Sequence, residues 1–203
     1  MLIKLLSAAD KEHLLELLEL LALADKHLLW DGKRKEEITS ETDLNKLSIQ
    51  NGEQESALLA DMKSEGAQSS SVRPQIAGVA VPIIAAALFS FTSGSVETSL
   101  IEKLKAFPLQ EVEEPATRAQ AAMTILKKLL EGKESEIPSV PKLMLFELML
   151  MALCGGSIFS IEWALLKEFQ HHHRLEDFIF DDLLECAETM NREVSKTIAI
   201  ILE

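Results

Sequence analysis

Within the stretch DKHLLWDGKRKEE, residues 25–37, stand Asp25, Asp31, Glu36 and Glu37. Carboxylates gathered in one loop are the ligands of a hard divalent cation such as Ca²⁺ or Mg²⁺. Counted from Asp25, however, the third and fifth positions of an EF-hand fall on His27 and Leu29, so only a looser site could use these four residues. The competing account is a charged connection between two helices, and the residue types favour it. Trp30 lies in the middle of the stretch. Exposed, it would be a contact for a protein partner; otherwise it folds back over the first helix.

A second chemical candidate is His171-His172-His173-Arg174. Imidazoles suit Zn²⁺ and Ni²⁺, but adjacent histidines point in different directions and no H-E-x-x-H or Cys/His spacing accompanies them. A surface loop after a helix accounts for them, because cationic groups are favourable at a helix C-terminus. The chain has no G-x-S-x-G and no defensible Cys–His pair. GGSIFS, residues 155–160, lacks the lysine and spacing of a phosphate loop. Asp181-Asp182 read as the wet face of an amphipathic helix rather than as general acids. These readings point away from an enzyme and expect no cofactor, a divalent cation being the one ligand considered.

The elements that must position these residues read as helices. Ser7, with Asp10 three residues on, opens a helix that runs to about Ala24. Glu12, Glu16 and Glu19 share its exposed face; Leu14, Leu17, Leu18 and Leu21 line the other, widened by Leu15, Leu20 and Leu23. Residues 26–38 form a charged connection. A second helix is expected across 41–64, carrying Leu44, Leu47, Leu58, Leu59 and Met62, with a break at Asn51-Gly52. SEGAQSSSVRPQ, residues 64–75, has linker composition. IAGVAVPIIAAALFSF, residues 76–91, is uncharged but falls short of the roughly 17–25 residues of a membrane span, and Pro82 interrupts it. A buried helix or an interfacial segment fits it better.

Residues 96–106 suit a short helix ending near Phe107-Pro108. Pro115 suits a first helical turn, and that helix should stop at Gly132. In PKLMLFELMLMALCGG, residues 141–156, Glu147 is the only charge between Lys142 and Gly155, so this helix belongs at the centre of a bundle, with Met144, Met149 and Met151 as filling. Ser160 can cap the next helix, and Trp163 on it is expected to pack inside. An amphipathic helix from Arg174 and the closing REVSKTIAIILE complete seven or eight helices with no strand ladder. The fold class is all-α.

Composition agrees. Thirty-three acidic residues against 20 basic ones leave a net charge of −13, which repels nucleic acid and anionic membrane on average. Cys154 and Cys186 lack C-x-x-C spacing and read as reduced thiols of a cytoplasmic protein. The opening MLIKLLSAADKEH turns polar too soon for a signal peptide.

Displaced by 130 residues, the chain resembles itself: Leu14-Leu15 falls on Met144-Leu145, Leu18 on Leu148, and residues 22–25, ALAD, on 152–155, ALCG. Each copy places a leucine-rich helix before a turn and another helix, which suggests two helical halves packed about a pseudo-two-fold. LLSAADKEHLLELLELLALAD and LMLFELMLMALCGGSIFSIEWALLKEF resemble the openings of the two halves of tellurite-resistance TerB-like domains. The family pattern is a hydrophobic helix ending in Ala-Asp-Gly, an acidic residue and an aliphatic one, then a helix carrying Glu. Asp25 matches it, but Lys26 and His27 replace the Gly and the acid. In the second copy Gly155 replaces the Asp, while Gly156, Ile158 and Glu162 remain.

The resemblance implies a single TerB-like bundle over 1–203, with pseudo-repeated halves at 7–66 and 116–203 and an insertion at 67–115. It implies a non-enzymatic binding or scaffolding protein tied to tellurite or general stress responses, with a protein partner; the acidic balance argues against nucleic acid, and the apolar segment of the insertion could cover the core, mediate a homodimer or touch a membrane. Two alternatives stay open. One is a divalent-metal sensor or metal-dependent hydrolase using Asp25, Asp31, Glu36 and Glu37. The other is a peripheral membrane protein anchored by residues 76–91.

Overall fold

The computed structural model describes residues 2–50, 96–135 and 137–202. The linker at 64–75, the apolar segment 76–91 and most of the helix expected at 41–64 lie outside the described residues.

Helix α1, Ala8–Ala24, starts where the sequence places it. The Ser7 hydroxyl accepts the Asp10 N–H at 3.2 Å and donates to the Asp10 carboxylate at 2.6 Å. That capping satisfies a donor that the first helical turn otherwise leaves open. Every residue from Leu17 to Ala24 is buried, Glu19 included. Its glutamates therefore do not mark a fully wet face: the last two turns are enclosed all round.

Beyond α1 the chain departs from expectation. Within the expected charged connection, residues Leu28–Trp30 form strand β1, which pairs antiparallel with β2, Leu47–Ile49, where the start of a second helix is expected. The register is Leu28 with Ile49, Leu29 with Ser48, and Trp30 with Leu47. In each strand the first and third residues are buried and the middle one is half-buried, as the period of two dictates. Trp30, Asp31, Gly32 and Lys33 then close a tight turn. Trp30 N–H donates to Lys33 O at 2.8 Å and Lys33 N–H to Trp30 O at 3.0 Å. Asp31 and Gly32 both have positive φ, 51° and 78°, which is the Asp-Gly signature of a two-residue mirror-image turn. Residues 41–50 contain no helix.

Helix α2, residues 96–105, buries Val96, Leu100 and Leu104 along one side. Helix α3, Pro115–Leu130, has Pro115 in its first turn and ends just before Gly132 at φ 70°, as expected. Helix α4, Ser139–Ala152, buries Met144, Met149 and Met151. Helix α5, Ser160–His172, begins at Ser160, but its cap comes from Glu162, whose carboxylate accepts the Phe159 N–H at 2.7 Å. Helix α6, Asp177–Leu202, runs unbroken through the closing stretch. Six α-helices and one small sheet thus make a mostly helical fold among the described residues.

Helix α1 is the axis. It packs on α3, α4 and α5; α3 also packs on α5, and α4 on α5 and α6. The two helices matched by the 130-residue displacement, α1 and α4, lie against each other, but a strand succeeds the first and a helix the second. The short 3₁₀ turn Leu2–Leu5 lies on α4, where the fully buried Glu147 carboxylate accepts the Leu2 N–H at 2.6 Å. No helix among the described residues is long and apolar enough to cross a membrane.

Trp30 is 2% exposed, so Trp30→Ala should cost about 3–5 kcal/mol of unfolding free energy in urea titration. A loss within about 0.5 kcal/mol, the usual effect of a surface substitution, would contradict its place in the core.

Candidate functional site

The loop whose carboxylates suggest a cation site is assembled from separate small structures. Asp25 ends α1, and its carboxylate lies 3.4 Å from Lys26 Nζ. Asp31 sits in the tight turn and pairs with Lys46 at 3.1 Å. Glu37 accepts the Arg34 N–H at 3.1 Å and so closes the 3₁₀ turn Lys35–Glu37, while Glu36 is exposed. Among the described residues no three His, Cys, Asp or Glu side chains are placed to hold a metal ion. The structure therefore does not bring Asp25, Asp31, Glu36 and Glu37 together as one ligand set. The physical reason is that Asp31 and Glu37 are engaged by different partners, Lys46 across the sheet and the Arg34 backbone in a 3₁₀ turn.

Of the two places open to Trp30 the structure shows the buried one, and Trp163 departs from expectation. Trp30 is an inner residue of β1, packed in the core, and has no free face to offer a partner. Trp163, expected inside, is 40% exposed on α5. It meets Phe180 edge-on with ring centroids 5.5 Å apart, and Lys167 Nζ lies 3.5 Å from the Phe180 ring centre, a cation–π arrangement.

The histidines form a cluster that the sequence conceals. His171 and His172 are the last turn of α5, and His173 comes directly after it. His172 and His173 are half-buried rather than loop residues in water. His173 packs on Phe169 at 4.5 Å between centroids, and His172 meets His173 edge-on at 4.9 Å. From α1 comes His13, 5% exposed. His13 and His173 line one cleft of about 140 Å³ together with Asp10, Lys133, Glu134 and Met144. Both His13 ring nitrogens, and Nε2 of His172 and of His173, are buried without a hydrogen-bond partner. A wider groove of about 450 Å³ continues past His172 and His173 toward Pro138, Arg174 and Phe178.

Burial sets the protonation of this cluster. It holds His13 down to about 4, helped by the positive charge of Lys133 and by His173, with Asp10 opposing. His173 is likewise held at about 4, by burial and then by His172, against Glu134. Burial also raises Glu16, whose carboxylate lies 3.8 Å from His13 Nδ1. At neutral pH both imidazoles are uncharged. A base that titrates so far below neutrality is poorly matched to proton abstraction near pH 7. The one hydroxyl lining the cleft, Ser135, donates to the Ile137 carbonyl at 3.2 Å. The cleft lies between α1, the α3–α4 turn and the end of α5.

A run of exposed apolar residues lies elsewhere, on α6. Its first half is packed: Phe180 and Ala187 are buried, and the Asn191 side-chain amide donates to Leu153 O at 3.1 Å. From residue 192 to residue 201 every residue is exposed. Met190, Val194, Ile198 and Ile201 run along this free part, Ile201 at 74% exposure.

No family model, curated protein or solved structure matches the chain. Its own geometry carries the functional argument.

Because His13 is held at about 4 against an ordinary 6.5, the unfolded chain binds the extra proton throughout that window. Stability is then fully present above pH 6.5 and falls as pH drops toward 4. The expected loss from His13 is about 3 kcal/mol. Urea midpoints measured from pH 7.5 to 4 should fall more steeply in the native chain than in His13→Leu. Parallel profiles would show that His13 is not buried as a neutral group.

Proposed function

We propose that the chain is a non-enzymatic binding or scaffolding protein of the TerB-like kind, cytoplasmic and tied to tellurite or general stress responses, and that it binds through the outer half of α6. The observation that carries the binding element is the apolar stripe Met190, Val194, Ile198 and Ile201, exposed on a helix that outruns its bundle. The family and stress assignments rest on the resemblance of residues 7–66 and 116–203.

The stripe specifies the chemistry of its occupant. The spacing from Phe180 through Leu183, Ala187, Met190, Val194, Ile198 and Ile201 is three or four residues at every step, so all seven share one helix face. The first part of α6 lies against α4. The free part continues the same face, and what fits it is another apolar helix laid along it, docked through residues three and four apart. A protein partner presenting an amphipathic helix meets that requirement. The cation-sensor alternative draws no support from the separated carboxylates at 25–37, and the anchor at 76–91 lies outside the described residues.

A dye-labelled synthetic amphipathic helix with an apolar heptad seam should bind the native chain, measured by fluorescence anisotropy. Ile198→Glu should weaken that binding at least about tenfold, because a carboxylate on the seam loses its water without a partner. Equal binding by native chain and variant would remove α6 as the binding element.

A further inference from the structure

The seam on the outer half of α6 is self-complementary, and we infer that its occupant is a second copy of this chain, paired α6 to α6 about a two-fold axis. This rests on the proposed docking role of α6 and names the partner. Continuity comes first. The residues that continue outward from the α4–α6 contact keep the same apolar face and bear no charge, so two copies can oppose it without burying an ion.

Helix composition comes second. Residues 192–201 include Val194, Thr197, Ile198, Ile200 and Ile201, β-branched types that contribute little intrinsic helix stability. A few exposed turns of such a sequence are marginal in water unless packing supports them.

Area and charge come third. The exposed parts of Met190, Val194, Ile198 and Ile201 and the polar residues beside them offer roughly 500 Å² per copy, so a pair covers roughly 1,000 Å², the lower bound of a specific interface. Arg192, Glu193 and Lys196 are the only charges from 192 to 201, and Lys196 pairs with Glu193 at 3.0 Å. The free half of α6 is thus not acidic, in a chain of net charge −13. Two copies meet where their mutual repulsion is least. The remaining repulsion is long-range and is screened by salt, so pairing tightens as salt rises.

Sedimentation equilibrium of the full chain tests the pairing. At micromolar concentration and moderate salt the native chain should show twice its 22.5 kDa mass. Val194→Glu combined with Ile198→Glu should weaken the dimer at least tenfold while the bundle stays folded, with any loss of helical circular dichroism limited to the few turns beyond Asn191, since both positions are exposed. Ile200→Glu is the control: two residues from Ile198, it sits about 200° around the helix and should leave the dimer intact. A monomeric native chain overturns the inference, as does a dimer that survives the double substitution or dissociates equally with Ile200→Glu. If the native chain is monomeric yet still binds the synthetic amphipathic helix, the second copy is excluded and α6 docking stands.

Discussion

Helix α1 can exist only if it is enclosed, and the rest of the molecule depends on that. Its last two turns have no wet side: Leu17 through Ala24 are all buried. Such a helix cannot lie on a surface; it must be the inner member of a ring. Its C-terminal carbonyls lose water in the process and need donors from the neighbours. Arg118 on α3 supplies one, its guanidinium donating to Leu23 O at 3.2 Å from a position 7% exposed. Burial disfavours the charge on Arg118, while Asp25 and Glu113 favour it. The position of α3 is therefore set by more than apolar contact. A buried cation placed at the negative end of α1 ties the two helices in one register.

The small sheet solves the same problem at the next step along the chain. Immediately after α1 the chain must turn away and still cover the end of a leucine-rich helix. A strand with alternate residues buried does this in three residues: Leu28 and Trp30 face inward while Leu29 is half-buried. The Asp31-Gly32 turn then reverses the chain, and β2 adds Leu47 and Ile49 to the same inner face. Two lysines fasten the loop to a later part of the chain, Lys35 to Gln110 O at 3.1 Å and Lys105 to Asn45 O at 2.8 Å. Of the carboxylates that suggest a cation site, Asp31 pairs with Lys46 just before β2 and Glu37 closes a 3₁₀ turn.

How much of this is legible in the sequence depends on range. The limits of α1 and α3 are readable because Ser7, Pro115 and Gly132 act on adjacent backbone and because the helices are long enough to show a period. The strands are not readable: three residues carry too little alternation, and Leu47 fits a helical spacing with Leu44 equally well. The Asp-Gly pair is a local turn signal, yet among so many charges its carboxylate reads as a ligand. The histidine cleft is invisible for a different reason. His13 and His173 are 160 positions apart in sequence, and only the packing of α5 beside α1 puts them on one cavity. Trp163 reads as internal because Ile161, Leu165 and Leu166 surround it in sequence. Those neighbours are buried, and the helical period turns the residue between them outward.

The free half of α6 reflects a conflict that a monomeric bundle leaves standing. Up to Asn191 the helix is held by α4 and by the Leu153 carbonyl. Past that point no described element reaches it, yet its apolar period does not change. A solvated extension would be expected to lose its apolar face where the bundle ends, since an exposed isoleucine gains nothing from water and helps a helix less than alanine or leucine would. Here Val194, Ile198 and Ile201 persist, and charge is confined to the side where Arg192 and Lys196 lie. Local propensity opposes a free helix and the apolar face opposes a wet one. Both conflicts are relieved by the same event, the covering of that face by another helix, which ties the order of α6 beyond Asn191 to assembly.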